Sequence, residues 1–332
     1  MSRGTSFLVV FTLLTGANLL LFAQGQKPGG EKESETPIGP KWWPSEWGAD
    51  DQRGAANRLG PKKVLEAKDL ITQGKVYQLG RPYEAEMPIP GKRHFSLTIP
   101  GLPTGGPGGK NQLVHNDELV SGEIGQVGTQ FDGLGHVGVR VGGDDVFYNG
   151  NKLSEFGTAY GLKKLGVEQA GAFFTRGVLL DVAGLKEERS LPVGYAITPQ
   201  DLEKAREAAR VEVRPGDVVL IHTGHGFWWM KDNKKFAEGE PGIGVEAAKW
   251  LTDKKVCLVG SDNWAVEVVP SEDPDRPFAA HQWLLTRHGT YLLENLDLAE
   301  LAKDKVYEFA FSFAPLKLKG ATGSPGNPLA IR

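Results

Sequence analysis

Between Gly125 and Gly138 the chain places glycine at positions 125, 128, 133, 135 and 138, too densely for a stable helix. Each interior glycine costs about 1 kcal/mol relative to alanine. The stretch Gln126-Val-Gly-Thr-Gln-Phe-Asp-Gly-Leu-Gly-His136 therefore predicts a tight loop whose backbone closes around something small. Inside it, Gln126, Gln130, Asp132 and His136 follow at spacings of four, two and four. Two amide oxygens, a carboxylate and an imidazole converging in this way suit a metal ion or a reacting carbonyl. Read alone, the segment suits a satisfied structural turn equally well.

A second segment far downstream changes that balance. It reads His281-Gln-Trp-Leu-Leu-Thr-Arg-His-Gly-Thr-Tyr-Leu-Leu-Glu294-Asn295-Leu296. Glu294 closes the apolar run Tyr291-Leu292-Leu293, and a carboxylate in that position needs a partner. A cation is one such partner, and a salt bridge to Arg287 is another.

Together the two segments resemble the cyclase family of metal-dependent hydrolases, which includes bacterial kynurenine formamidase and isatin hydrolase. That family carries His-x3-His-x-Asp-x3-His, then a distal His and Glu about a dozen residues apart. Here the core is Gly128-Thr129-Gln130-Phe131-Asp132 with His136 in the last place, and the distal pair is His281 and Glu294. The similarity continues through Trp47-Gly48-Ala49-Asp50-Asp51-Gln52-Arg53-Gly54, Gly177-Val178-Leu179-Leu180-Asp181 and Gly216-Asp217-Val218-Val219-Leu220. It extends into Val259-Gly260-Ser261-Asp262 and Gly320-Ala321-Thr322-Gly323-Ser324-Pro325. The resemblance implies a single-domain α/β chain with the swivelling β/β/α fold and a barrel-like mixed sheet.

It further implies Asp132, His281 and Glu294 as metal ligands, with His136 as the catalytic proton shuttle. Histidine suits that task because its pKa lies near neutrality. Both first-segment histidines of the family pattern are glutamines here, Gln126 and Gln130. An amide oxygen is a neutral, harder and weaker ligand than imidazole, so the two serve as weak oxygen ligands or as hydrogen-bond donors. The expected cofactor is a divalent metal, zinc or manganese. The implied activity is hydrolysis of an amide or a cyclic ester or amide of a small substrate, arylformamidase-, lactonase- or cyclic amidase-like. The two glutamines also motivate a rival, a non-catalytic ligand-binding protein on the same fold.

The remaining sequence sets bounds. With 332 residues, 40% hydrophobic and 24% charged, and a net charge of −3, the composition is that of an ordinary globular chain. No basic excess points to nucleic acid. Phe7 to Ala23 is uncharged and mostly apolar after Arg3, and small residues follow at Ala23-Gln24-Gly25. This predicts a signal peptide over 1–25 cleaved before Gln26, a flexible leader over 26–40 and a hydrolase domain over 41–332. The implied location is periplasmic or secreted, with no stable membrane association after processing. The expected partners are a small-molecule substrate and further copies of the chain, as a homo-oligomer. Cys257, the only cysteine, lies in Val256-Cys257-Leu258-Val259 and reads as a small buried hydrophobe.

Helices are expected over Pro61–Gln73, with Val64, Leu65, Leu70 and Ile71 as the apolar face, after Thr198 as N-cap, and over Gly244–Lys254. Val178–Val182, Val218–His222 and Val256–Val259 read as buried strands. Val306–Phe313 alternates as a half-buried strand, with Tyr307, Phe309, Phe311 and Phe313 on one face. Asp181 and Asp262 read as turn or supporting residues. His222 and His225 either line a pocket or pack among Phe227-Trp228-Trp229, and His288 matches a ligand by type but not by spacing.

Overall fold

The computed structural model describes residues 35–332. The expected signal peptide and most of the expected leader lie outside the described residues. The last part of that leader is not flexible: Glu35–Thr36 and Gly39–Pro40 pair as a small hairpin with Thr36 buried. Arg287 anchors it by donating to the carbonyls of Ile38 and Pro40.

Nine strands form one mixed sheet curled into a half-barrel. In chain order they are β1 (Val76–Gln78), β2 (Gln130–Asp132), β3 (Phe173–Asp181), β4 (Val218–His222), β5 (Leu258–Ser261), β6 (Tyr291–Glu294), β7 (Glu308–Phe313), β8 (Gly323–Pro325) and β9 (Leu329–Ile331). Across the sheet the order is β8-β2-β6-β5-β4-β3-β7-β9-β1. Strands β3, β4, β5 and β6 are mutually parallel, while β2 runs antiparallel to both β6 and β8. Asp181, His222 and Glu294 thus lie at the carboxyl ends of parallel strands, the edge where open α/β sheets bind ligands.

The expected loop at 126–136 is in part a strand, since Gln130–Asp132 is fully buried in the sheet. Its pairing with β6 sets Gln130 opposite Glu294 and Phe131 opposite Leu293. Period-two alternation then sends Gln130, Asp132 and Glu294 to one face and Phe131 to the other. On that second face Phe131 stacks on Tyr291 at 4.9 Å and meets Phe173 and Phe313 at 5.6 and 5.4 Å. Strand β7 is shorter than expected; Phe309, Phe311 and Phe313 are buried on one face, while on the other Ala310 is buried and Glu308 and Ser312 stay partly exposed.

The first long helix, α1 (Pro61–Lys68), is also shorter than expected and turned differently. Leu65 is 60% exposed, Val64 40% and Ile71 38%, while Ala67 is buried. Lys63 reaches the fully buried Asp217 at 3.3 Å. Asp217 also pairs with the buried Arg176, and the Lys63 and Ala67 side of the helix faces the sheet. Helices α2 (Pro199–Ala209) and α3 (Val245–Asp253) match expectation. Thr198 caps α2 in a reciprocal capping box with Asp201. Thr198→Ala should lower stability by about 1 kcal/mol, read by denaturant unfolding. Among the described residues no helix is long and apolar enough to cross a membrane.

Candidate metal centre

Asp132, His281 and Glu294 each offer a ligand atom, and these atoms lie within 4.8 Å of one another, all buried. His281 Nε2 stands 3.4 Å from Glu294 Oε1 and 4.0 Å from Asp132 Oδ2. Asp132 and Glu294 come from adjacent strands, and His281 comes from the short helix Ala279–His281, which runs into the π-helical turn Gln282–Arg287. His136 follows β2 after a turn closed by its own N–H to Gly133 O, and its Nε2 is 3.9 Å from Asp132 Oδ2. Its side chain is 22% exposed, so it forms the open wall of an otherwise closed cluster.

The two glutamines hold the carboxylates. Gln130 Nε2 donates to Glu294 Oε2 at 2.6 Å, and Gln126 Nε2 lies 3.5 Å from Asp132 Oδ1. In this arrangement they are donors to the ligand carboxylates. The Gln126 amide oxygen is buried and has no hydrogen-bond partner.

The loop leading into β2 is fastened from several sides. Gly128 has φ +62°, and a Cβ there would meet the Tyr83 ring at 2.8 Å. Tyr83 in turn donates its hydroxyl to Thr129 O. Asn295, directly after Glu294, donates to Gly128 O at 2.7 Å, and its carbonyl accepts Thr129 Oγ1 at 2.9 Å. Asp132 and Glu294 thus sit in a rigid frame.

The cluster gathers two buried carboxylates around one imidazole. Burial, and then the charge of Asp132, push the Glu294 carboxyl well above its ordinary range. Burial disfavours the charged form of His281, but hydrogen bonds to Glu267 and Glu294 outweigh it and raise its pKa. Asp132 Oδ2 is buried without a hydrogen-bond partner. Two buried carboxylates, one with an orphaned oxygen, beside an imidazole nitrogen fit a divalent metal ion, since oxygen and imidazole donors suit zinc or manganese.

Glu267 is the participant that sequence reading missed. Its Oε2 accepts His281 Nδ1 at 2.6 Å and the His281 backbone N–H at 2.8 Å. An acid between Val266 and Val268, in a run leading to Pro270, was the available signal.

The other candidates fall elsewhere. His222 lies 2.7 Å from Asp181 and lines a cavity of about 550 Å³ with Arg81, Phe227 and Trp229. Burial opposes protonation of His222, but the bond to Asp181 raises its pKa. Asp181 also caps a helical turn at Gly184, and Asp262 accepts from Thr223 and Gly226. His225 is core, packed on Phe236. His288 packs against Trp283, away from the cluster, and burial pushes its pKa down to about 4. Cys257 is fully buried, and burial pushes its thiol up.

The Cyclase family model matches residues 77–268. A crystal structure described as a novel cyclase is 33% identical, covers 86% of this chain and 96% of its own, and superposes with a TM-score of 0.76. An isatin hydrolase bound to the product analogue thioisatinate is 21% identical over 82% of this chain and 98% of its own, with a TM-score of 0.57. Isatin hydrolase A from Labrenzia aggregata, bound to benzyl benzoate, is 18% identical over 77% and 93%, with a TM-score of 0.56. At these lower identities the two hydrolases show a shared fold. Among curated proteins there is no match.

Proposed function

This chain belongs to the cyclase family, and on that premise we propose that it is a metal-dependent hydrolase of an amide or a cyclic ester or amide of a small aromatic substrate. The observation that carries the reading is the buried Asp132–His281–Glu294 cluster with His136 at its open side. A divalent cation held by these three residues would polarise a substrate carbonyl and lower the pKa of a bound water. Gln130 and Gln126 keep the two carboxylates oriented. In this reading His136 takes a proton at Nε2 and returns it to the leaving group. Burial lowers its pKa despite the nearby Asp132 charge, so it is neutral and able to accept at pH 7.

Met87, Phe95, Val127, Trp229 and Phe236 form a second buried cluster, with Tyr83 and Trp264 packed against it, and Val127 belongs to the same loop as Gln126. The names of the isatin hydrolase neighbours make isatin-type rings the first compounds to test beside aryl formamides and aryl lactones.

Purified protein should retain a divalent metal and hydrolyse at least one of these classes. A chelator should abolish turnover and the metal should restore it. Protein that holds no metal and turns over none of the three, yet binds one of them in calorimetry, would instead fit the non-catalytic ligand-binding reading.

A further inference from the structure

We propose that Glu267 is a positioning residue that keeps a proton of His281 on Nδ1, so that Nε2 is the nitrogen left for a cation held together with Asp132 and Glu294. The inference rests on reading that cluster as a cation site. An ionised carboxylate can only accept hydrogen bonds. At 2.6 Å from Glu267 Oε2, His281 Nδ1 must therefore carry the proton. In the neutral ring this leaves a lone pair on Nε2, the atom that faces Glu294 Oε1 at 3.4 Å and Asp132 Oδ2 at 4.0 Å. Glu267 also accepts the backbone N–H groups of His281 at 2.8 Å and Ala280 at 3.3 Å. One carboxylate thus fixes the helix start and the ring together.

The turn that delivers Glu267 is a second, independent observation. Val266, just before it, has φ +59°, which a β-branched side chain strongly disfavours. The surrounding contacts hold it there. Asn263 Oδ1 accepts the Val266 N–H at 3.0 Å, and Asn263 Nδ2 donates to Pro241 O. The fully buried Glu240 accepts the N–H groups of Trp264 at 2.7 Å and Ala265 at 2.8 Å. Strain that the surroundings over-determine in this way is characteristic of functional sites. Here the residue it aims is Glu267, 4% exposed and turned toward His281.

The alternative is a purely structural helix cap, and two variants separate the roles. Glu267→Gln can set its amide oxygen where Oε2 stands, which serves both His281 Nδ1–H and the His281 backbone N–H, and gives up only the 3.3 Å bond from Ala280. Its zinc affinity, measured by competition with a chromophoric chelator, should stay within about tenfold of wild type. Glu267→Ala removes the acceptor and frees the ring to carry its proton on Nε2, so its zinc affinity should fall about 10- to 100-fold. A structural cap predicts that Glu267→Ala lowers the melting temperature of the metal-free protein while its zinc affinity stays near wild type. Nitrogen-15 NMR of the zinc-loaded wild type should show His281 protonated at Nδ1.

Wild-type zinc affinity in Glu267→Ala, or an Nε2-protonated His281 in the zinc-loaded wild type, overturns the proposal. Should Glu267→Ala fail to fold, the NMR spectrum of the zinc-loaded wild type decides it. If the wild type itself binds neither zinc nor manganese, the cation-site reading fails and takes this one with it. Loss of the positioning role alone would leave wild-type binding intact.

Discussion

Glu294→Gln should empty the metal centre, whereas Gln130→Ala should leave most of it filled. Glu294 supplies one of only two anionic ligands, and it is fully enclosed. Its amide isostere keeps the shape and loses the charge. Affinity should therefore fall by more than the roughly 100-fold upper range seen when an outer partner is removed. Gln130 contributes one hydrogen bond to Glu294 Oε2 and no charge, so its loss should cost about tenfold or less. Elemental analysis after dialysis against a weak chelator reads both. If Gln130→Ala is the emptier of the two, the ligand assignment is wrong.

The same substitution has a signature without metal. Burial and Asp132 raise the Glu294 pKa in the folded state, so its ionisation opposes folding. A carboxylate raised in this way contributes fully below its unfolded pKa, and that contribution is lost as pH rises toward the folded value. Metal-free wild type should thus lose stability from about pH 4.5 upward into the neutral range. Glu294→Gln should lose less over that window. Parallel curves for the two proteins in denaturant titrations would contradict it.

His136→Ala should lower kcat by about 10²- to 10⁴-fold, the usual effect of removing a general acid or base. Bound metal should stay within about twofold of wild type, because His136 stands outside the three-ligand cluster, 3.9 Å from Asp132 Oδ2. The pH profile follows from the direction of its pKa. Burial lowers it below 6.5, and the base must be neutral. Wild-type kcat/KM should therefore remain flat through neutrality and fall only below pH 6.5. Activity within a few-fold of wild type in His136→Ala would remove the proton-transfer role.

Much of this molecule was legible in its residues, and the parts that were not share a cause. The cap at Thr198 and the helix over Val245–Asp253 follow from local chemistry, because a hydroxyl three residues from an N–H needs nothing distant. The first helix misled because its inward side carries Lys63 beside the buried Asp217, more than 150 residues away, a pairing that no local pattern displays. The glycine-rich stretch was read as a tight loop, but its centre is a strand. Glycine content excludes a helix, yet the pairing of Gln130 with Glu294 depends on β6 and β8, which lie far along the chain.

The site divides in the same way. Asp132, His136, His281 and Glu294 were named through the resemblance of their two segments to the cyclase family. What the two glutamines do could not, since an amide is ligand or donor according to which atom its neighbours turn inward. Only the register of β2 against β6, which sets the Gln130 amide nitrogen on Glu294, decides that. Glu267 carried no motif. Its role exists because a strained turn at Val266 and the start of another helix meet in space, and a hydrogen bond between residues from separate segments leaves no periodicity for a sequence to display. The sequence alone thus determined which chemical groups the centre has available. Tertiary structure decided which atoms face it, because that depends on strand register and long-range packing.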